Sequence, residues 1–353
     1  MTSKERHAYY YPTIKSKELR ALLQQSLSSR NADALLLSGG IDSSALAALD
    51  HTIPAYTTSL KGVSEQLDLK FASKVAKHLR LDWTPVVVTQ EEAIENLRLV
   101  IRINESYDTA LLNDLALYLS INKAMTDLGK LNVVVRSGEP ADMLFRGYTV
   151  TYKMRQSELN LDIDKLSSTN LPLASLERKT QIKMDYPYLD TNIKEFAKNL
   201  SKDENVVYRT RPGDVWSTHE ENTDRLTMPP YPFGKLVLRQ AMFDILPIEI
   251  VLRNKTDIQF GSGTDNLKAQ LRETISPLER AAYEAEGFSF RDIVHAAMYK
   301  LFKKEGLHPR KLLTETETSC SSCHGAVEVG RNYCITCGSE HPNVSFDEIR
   351  KSK

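Results

Sequence analysis

Leu35-Leu36-Leu37-Ser38-Gly39-Gly40-Ile41-Asp42-Ser43-Ser44 carries an apolar run into two glycines, and Ser43-Ser44-Ala45-Leu46-Ala47-Ala48-Leu49 then continues as a helical pattern. The stretch therefore reads as strand, tight turn and helix. Adjacent glycines let the backbone turn sharply and bring its N–H groups against a ligand without interference from Cβ. The helix that follows points its N-terminus, equivalent to about half a positive charge, at the same spot. Ser38, Ser43 and Ser44 add hydroxyl donors, and Asp42 places a carboxylate where a divalent cation could bridge to phosphate oxygens. The whole is a cradle for polyphosphate and magnesium. An ordinary strand-to-helix turn is the plainer alternative, since Ser and Asp are good N-caps in any case.

Outward from this loop, strands and helices alternate. Residues 13–28 form a lead-in helix, with Ile14, Leu19, Leu22, Leu23 and Leu27 at helical spacing. Ala34–Leu37 is the first strand and Ser43–Asp50 the helix after it. Ala55–Leu60 reads as a second strand, and Leu67, Phe71, Val75 and Leu79 mark an amphipathic helix over 67–79. Trp83–Val88 is a third strand, helical patterns run from about Glu91 to Leu128, and Leu131–Arg136 is a fourth strand that ends at Ser137-Gly138-Glu139. This alternation predicts an α/β fold with a doubly wound parallel sheet. Such sheets bind ligands beyond the carboxyl ends of their strands, where strand order reverses, so the Ser38 and Ser137 loops are expected to converge. Beyond Asp190 the pattern is helical. Residues 205–232 are expected to form a loop or insertion, Lys235–Leu246 and Asp292–Lys303 helices, and Thr314–Ser319 a polar linker to a small separate tail.

Composition narrows the classes. Of 353 residues, 41% are hydrophobic and 26% charged, enough apolar material for a large core. Lys+Arg and Asp+Glu are equal at 46 each, so no global basic field points to nucleic acid. No apolar run approaches a membrane span and no signal peptide opens the chain, which begins Met1-Thr2-Ser3-Lys4-Glu5-Arg6; a cytoplasmic protein without a membrane partner is expected.

Two further constellations carry chemistry. Ser137-Gly138-Glu139-Pro140-Ala141-Asp142-Met143-Leu144-Phe145-Arg146-Gly147-Tyr148 sets two carboxylates three residues apart at a strand end. Asp142 suits a second ligand for a magnesium whose first is Asp42, and Glu139 suits positioning or deprotonating an attacking amine. Lys235-Leu236-Val237-Leu238-Arg239 and Arg253-Asn254-Lys255-Thr256-Asp257-Ile258-Gln259-Phe260-Gly261 supply cations, of which Lys255 or Arg253 could neutralise a leaving pyrophosphate.

In type and order these motifs resemble the synthetase domain of asparagine synthetase, within the N-type ATP pyrophosphatases (the PP-loop superfamily, adenine nucleotide alpha hydrolase-like). Ser38–Ser44 resembles the family's phosphate loop, and Ser59–Leu79, with Lys61-Gly62 and Asp68-Leu69-Lys70, its adenine-contacting strand and next helix. Glu105-Ser106-Tyr107-Asp108 and Ser137–Tyr148 are similar to further family signatures. Tyr186-Pro187-Tyr188-Leu189-Asp190 resembles its Pro-Phe-Leu-Asp segment, and Lys235–Gly261 its C-terminal lysine region. The likeness spans roughly residues 30–265 of a domain expected over 31–313, after a helical lead-in over 1–30. It implies a two-step reaction: ATP activates a small-molecule carboxylate as an acyl-adenylate, releasing pyrophosphate, and an amine then attacks to give an amide. By position, Leu37, Ser38, Gly39, Gly40, Asp42, Ser43, Leu60, Lys61, Ser137 and Gly138 would contact ATP. Asp42 and Asp142 would hold Mg2+, Glu139 would sit by the acyl carbon, and Lys255 would stabilise pyrophosphate or the transition state.

The departures matter as much. Complete family enzymes begin with a glutaminase domain whose nucleophile is an N-terminal cysteine, whereas this sequence opens Met1-Thr2 and reaches its phosphate loop by residue 38. Ammonia is therefore expected from solvent or from a separate glutaminase, unless the nucleophile is another amine. Pro140 replaces the family's glycine, Met143 an acid, Leu112-Asn113-Asp114-Leu115 an Arg–Thr–Pro segment, and Lys183-Met184-Asp185 a Glu-x-Arg. These changes fall near the expected acyl site and argue against aspartate as substrate.

All four cysteines lie in one cluster, Cys320-Ser321-Ser322-Cys323 followed after ten residues by Cys334-Ile335-Thr336-Cys337. Paired CxxC knuckles at this spacing predict a structural Zn2+ site in a zinc ribbon over 314–353, with no position left for catalysis. His324 and His341 are read as surface residues. Arg331, Lys303, Lys304, Arg310 and Lys311 could offer a basic face. An alternative function follows: a PP-loop enzyme that adenylates a tRNA base while the ribbon grips the RNA. A third is a nucleotide-binding regulator that has lost catalysis, suggested by Pro140 and Met143.

Overall fold

The computed structural model describes residues 10–63, 66–171, 173–209, 231–312 and 314–341. They fall into two compact units, one built from Met1–Ser59, Glu65–Val87 and Ser120–Ser262, the other from Leu60–Ser64, Val88–Leu119 and Gly263–Lys353.

The first unit is organised by a parallel sheet. Its strands are β1 (Ala34–Leu36), β2 (Ala55–Leu60), β3 (Trp83–Val88), β4 (Val134–Arg136) and β5 (Lys183–Asp185), in the order β3-β2-β1-β4-β5. Leu35 pairs with Ala55 and Leu35 with Arg136 across β1, and Val135 with Met184 across β4 and β5, all in parallel register. Strands β1 and β2 are buried along their whole length; β1 is accordingly all apolar, whereas β2 buries Thr57, Thr58 and Ser59, with Thr57 Oγ1 donating to Leu37 O and Thr58 Oγ1 2.7 Å from Ser120 Oγ. Helices α1 (Ile14–Ser28), α2 (Ile41–Leu49) and α3 (Leu67–Leu79) surround them. Leu19 and Leu23 of α1 and Ala45 and Leu46 of α2 join Leu35 and Leu37 in one core. The start of α1 is fixed by a capping box, in which Thr13 and Ser16 satisfy each other's backbone N–H.

Several expected elements shift. The helix over 43–50 starts at Ile41, and the fourth strand is only Val134–Arg136. The helical span 91–128 is two helices, α4 (Gln90–Asn104) and α5 (Leu111–Leu128), because Glu105 turns left-handed at the C-cap of α4. Strand β5 was not foreseen, since Lys183-Met184-Asp185 is too short and polar to show strand alternation. Its Asp185 accepts from the buried Arg136 Nε at 2.7 Å, so β5 is held partly by an ion pair. A short helix α6 spans Ala141–Leu144, and the helix expected over 235–246 is confined to α7 (Leu236–Met242). Of the insertion expected over 205–232, its ends form an antiparallel pair, β6 (Val207–Arg209) with β7 (Tyr231–Phe233), and 210–230 lie outside the described residues.

The second unit contains α4, the helix α8 (Ile293–Lys304) and the cysteine cluster. Leu97, Ile101, Leu115, Met298 and Phe302 share an apolar cluster with the four cysteines. The stretch expected to be a polar linker is partly a strand: β8 (Glu317–Ser319) pairs antiparallel with β9 (Ala326–Glu328), and that hairpin carries the first cysteine knuckle in its connection and leads on to the second. Among the described residues, no helix is long and apolar enough to cross a membrane.

Candidate active site

Strand order reverses between β1 and β4, so the crevice of this sheet opens between the loops that follow those two strands. The first loop is Ser38–Gly40. Gly39 has φ +73°, and a Cβ there would stand 2.4 Å from the backbone nitrogen of Ala72 on α3; no other residue fits. The Gly40 N–H donates to Ser38 Oγ and the Ser38 N–H to Ser43 Oγ, both at 3.2 Å, which ties the turn to the first turn of α2. The second loop reaches the first through Gly138, where a Cβ would lie 3.0 Å from Ser43 N and 3.1 Å from Asp42 Cβ. The two loops therefore touch backbone to backbone, as the strand pattern implied. Tyr188, from the Tyr186–Asp190 segment, donates its hydroxyl proton to the Asp42 carbonyl at 3.0 Å and closes the third side.

At the centre is a charge cluster. Lys235 Nζ lies 2.5 Å from Asp42 Oδ2 and 2.7 Å from Asp142 Oδ1, so one ammonium joins carboxylates from two separate strand ends. Burial works against the Lys235 charge, but the two carboxylates outweigh it and hold its pKa above the ordinary lysine value. Asp142 is pushed up by burial but pulled further down by Lys235 and Lys255, whereas burial and the charge of Asp142 keep Asp42 above the usual carboxylate range. Glu139, half-buried in the same loop, is pushed up to about 7 by burial and by the charges of Asp142 and Asp42. Lys255 Nζ is 3.8 Å from Asp142 Oδ2, 3.1 Å from Asp257 Oδ1 and 4.7 Å above the Tyr148 ring. Asp42 Oδ1 is buried with no hydrogen-bond partner among the described residues. An orphaned carboxylate oxygen beside a second carboxylate is a donor set that fits magnesium.

The structure thus brings Ser38, Gly39, Gly40, Asp42, Ser43, Ser137, Gly138, Glu139, Asp142 and Lys255 into one unit, most of them in the two touching loops or the charge cluster. Leu37, just after β1, is a core residue there, 1% exposed, its N–H donating to Tyr56 O at 2.9 Å and its carbonyl accepting from Thr57 Oγ1. Leu60 and Lys61 belong to the second unit. Leu60 is fully buried in that unit's apolar cluster, and Lys61 is exposed, its N–H donating to Val88 O at 2.8 Å. Sequence reasoning missed the part played by Lys235. A lysine ahead of an apolar helix reads as solvated, and its inward turn depends on a left-handed backbone (φ +61°) that composition does not show. Arg253 also differs from expectation. Its guanidinium donates to Ser38 O at 2.7 Å and to Asp68 Oδ1 at 2.6 Å, and lies 4.4 Å over the Phe71 ring, so it braces the phosphate loop.

In the second unit, the four cysteine sulfurs lie within 4.8 Å of one another, all buried. Cys320–Cys337 and Cys323–Cys334 Sγ separations are 3.6 and 3.7 Å. Four ligands about 2.3 Å from a tetrahedral zinc would be roughly 3.8 Å apart, so the sulfurs fit that ion. The backbone N–H groups of Ser322 and Gly325 point at Cys320 and Cys323 Sγ at 3.4 Å. His324 is exposed, its Nε2 2.8 Å from Gly287 O, while His341 is half-buried.

An open parallel sheet with a glycine loop and paired aspartates at its switch point defines an α/β protein of the PP-loop class. The family model for asparagine synthase matches residues 18–185 and 176–321, and the chain belongs to that family. It is 27% identical over 279 residues to the glutamine-hydrolysing asparagine synthetase of Gallus gallus, covering 72% of this chain and 44% of that protein. It is 24% identical over 314 residues to the carboxyethyl-arginine beta-lactam-synthase of Streptomyces clavuligerus, covering 84% and 53%. With the glutamine-hydrolysing asparagine synthetase B of Escherichia coli the figures are 26% over 288 residues, 73% and 48%. The chain spans about half the length of these relatives.

Proposed function

We propose that this protein is an ATP-dependent amide synthetase that releases AMP and pyrophosphate, activating a small carboxylate as its acyl-adenylate for attack by ammonia or an amine. The observation that carries this reading is the Asp42–Lys235–Asp142 cluster set against the glycine loop, with Glu139 beside it. Backbone N–H groups of the Ser38–Gly40 turn and the N-terminus of α2 hold the phosphates. Magnesium on Asp42 and Asp142, when bound, would shield phosphate charge. A substrate carboxylate oxygen attacks the α-phosphorus and pyrophosphate departs, its growing charge met by Lys255. The amine then attacks the acyl carbon, AMP leaves, and Glu139, with a pKa near neutrality, takes the amine proton. The amine donor in this reading is free ammonia, a separate glutaminase or another small amine, and Cys320, Cys323, Cys334 and Cys337 hold a structural zinc.

The test is ATP–pyrophosphate exchange across a panel of carboxylates, with ammonium added afterwards to read out AMP and amide. Exchange that depends on one class of carboxylate supports the proposal; ATP binding without exchange on any carboxylate overturns it. The RNA-modifying alternative depends on a basic face near the cysteines. Of its five cations, Arg310, Arg331 and Lys303 are paired with Glu317, Glu328 and Glu286, leaving Lys304 and Lys311 exposed, a weaker basis than the charge cluster that supports the amide reading. Bulk tRNA belongs in the same panel.

A further inference from the structure

Much of the local backbone serves to deliver one ammonium. Lys235 precedes α7 with φ +61°, a region non-glycine residues seldom adopt, and is 3% exposed. Its N–H donates to Phe145 O at 2.9 Å. A Cβ on Gly147 would stand 2.3 Å from Lys235 Cε and 2.0 Å from Asp142 Oδ1, so the glycine makes room for both charged side chains. A Cβ on Gly234 would stand 1.9 Å from Arg146 O, which leaves glycine as the only residue able to lead into Lys235.

Two bare carboxylates facing one another attract a divalent cation, and substrate phosphates and water complete its ligand shell. Here Lys235 holds one oxygen of each, and Lys255 faces Asp142 Oδ2. Lys235 is seated between Asp42 and Asp142, while Lys255 is shared between Asp142 and Asp257. A free divalent cation therefore competes with an ammonium already between the two carboxylates, whereas a cation carried on a triphosphate brings phosphate oxygens of its own as ligands. We propose that Lys235 is a positioning residue that makes divalent-cation capture at Asp42 and Asp142 conditional on the nucleotide: metal enters with ATP and is excluded alone. The inference rests on the reading of this site as an ATP site, and goes beyond it by assigning the order in which the ligands are taken.

Mn2+ is the probe, titrated into the full-length protein and followed by the paramagnetic resonance signal of the free ion, with and without ATP, the uptake by the same ATP without protein being subtracted. Wild type should bind Mn2+ weakly alone and at least about tenfold more tightly with ATP. Lys235→Met should bind Mn2+ alone about tenfold better than wild type and lose most of the ATP dependence, while Lys235→Arg, which keeps the charge, should restrain free metal as wild type does. Folded Lys235→Met protein with wild-type Mn2+ affinity would overturn the proposal. So would wild type that binds Mn2+ equally well without ATP, a result that decides the matter even if the methionine variant does not fold. Pyrophosphate exchange is read separately. Silence there together with the expected Mn2+ behaviour removes the ligase reading and leaves the role of Lys235 standing.

Discussion

Glu139 shows how the site tunes a single side chain. Burial, with the charges of Asp142 and Asp42, pushes it up to about 7, so it is largely protonated below that pH and an available base above it. For amide formation, kcat/KM should climb as pH rises through about 7 and level off above it, since this ratio reports groups of the free enzyme. Glu139→Gln should abolish that limb and slow amide formation roughly 10²- to 10⁴-fold while pyrophosphate exchange persists, as measured by product formation against exchange in one preparation. Equal loss of both activities would show that Glu139 acts before the amine arrives. Gly39 is the opposite kind of residue, needed for what it lacks. Gly39→Ala sets a Cβ 2.4 Å from Ala72 N in a left-handed conformation, so the loop must shift. The expected cost is about 1–3 kcal/mol in urea unfolding, with loss of ATP binding measured by calorimetry. That glycine was legible in the sequence because two adjacent glycines between an apolar strand and a helix mark a turn too tight to carry side chains. Lys235 was not, because its meaning resides in a backbone angle and in the distant Gly147.

Among the elements, those with strong periodicity were readable and those held by charge were not. The helix Leu67–Leu79 and the strands Ala55–Leu60 and Trp83–Val88 fall where the apolar pattern put them. Strand β5 escaped because its register depends on Arg136 reaching Asp185, a partner forty-nine positions away along the chain. The link between α3 and the phosphate loop is of the same kind. Arg253 joins Asp68 of α3 to Ser38 O, and Gly261 makes room for that carboxylate, since a Cβ there would stand 2.2 Å from Asp68 Oδ1. Removing one partner of a buried pair leaves the other uncompensated. Arg253→Met should therefore destabilise the protein by about 3–5 kcal/mol in urea and raise the KM for ATP more than it lowers kcat. Arg253→Lys should recover little of either, because a point ammonium cannot serve a carboxylate and a carbonyl with a rigid fork. An Arg253→Met enzyme with wild-type ATP binding would show that the loop stands without its brace.

At the scale of the molecule, the cysteines matter because of what surrounds them. Cys320, Cys323, Cys334 and Cys337 are members of the same apolar cluster as α4 and α8, with Tyr107 and Phe302 against them, and the Tyr107 N–H and Ser106 Oγ both donate to Thr336 O. Gly338 lies so close to Asp108 that a Cβ would stand 2.1 Å from its carboxylate, so the second knuckle is seated on the segment leading into α5. Four thiolates packed this closely in an apolar setting repel one another unless a cation neutralises them. Zinc binding to such sites is worth an apparent 10–16 kcal/mol or so, part of which is folding free energy. The purified protein should therefore carry one zinc per chain by metal analysis. Stripping it with a chelator and thiol reagent should speed amide exchange by orders of magnitude in α4 and α8, not only in the hairpin β8–β9. Cys323→Ser should reproduce that pattern. If exchange rises in the hairpin alone, the cluster is a detachable tail whose metal does nothing for the helices around it.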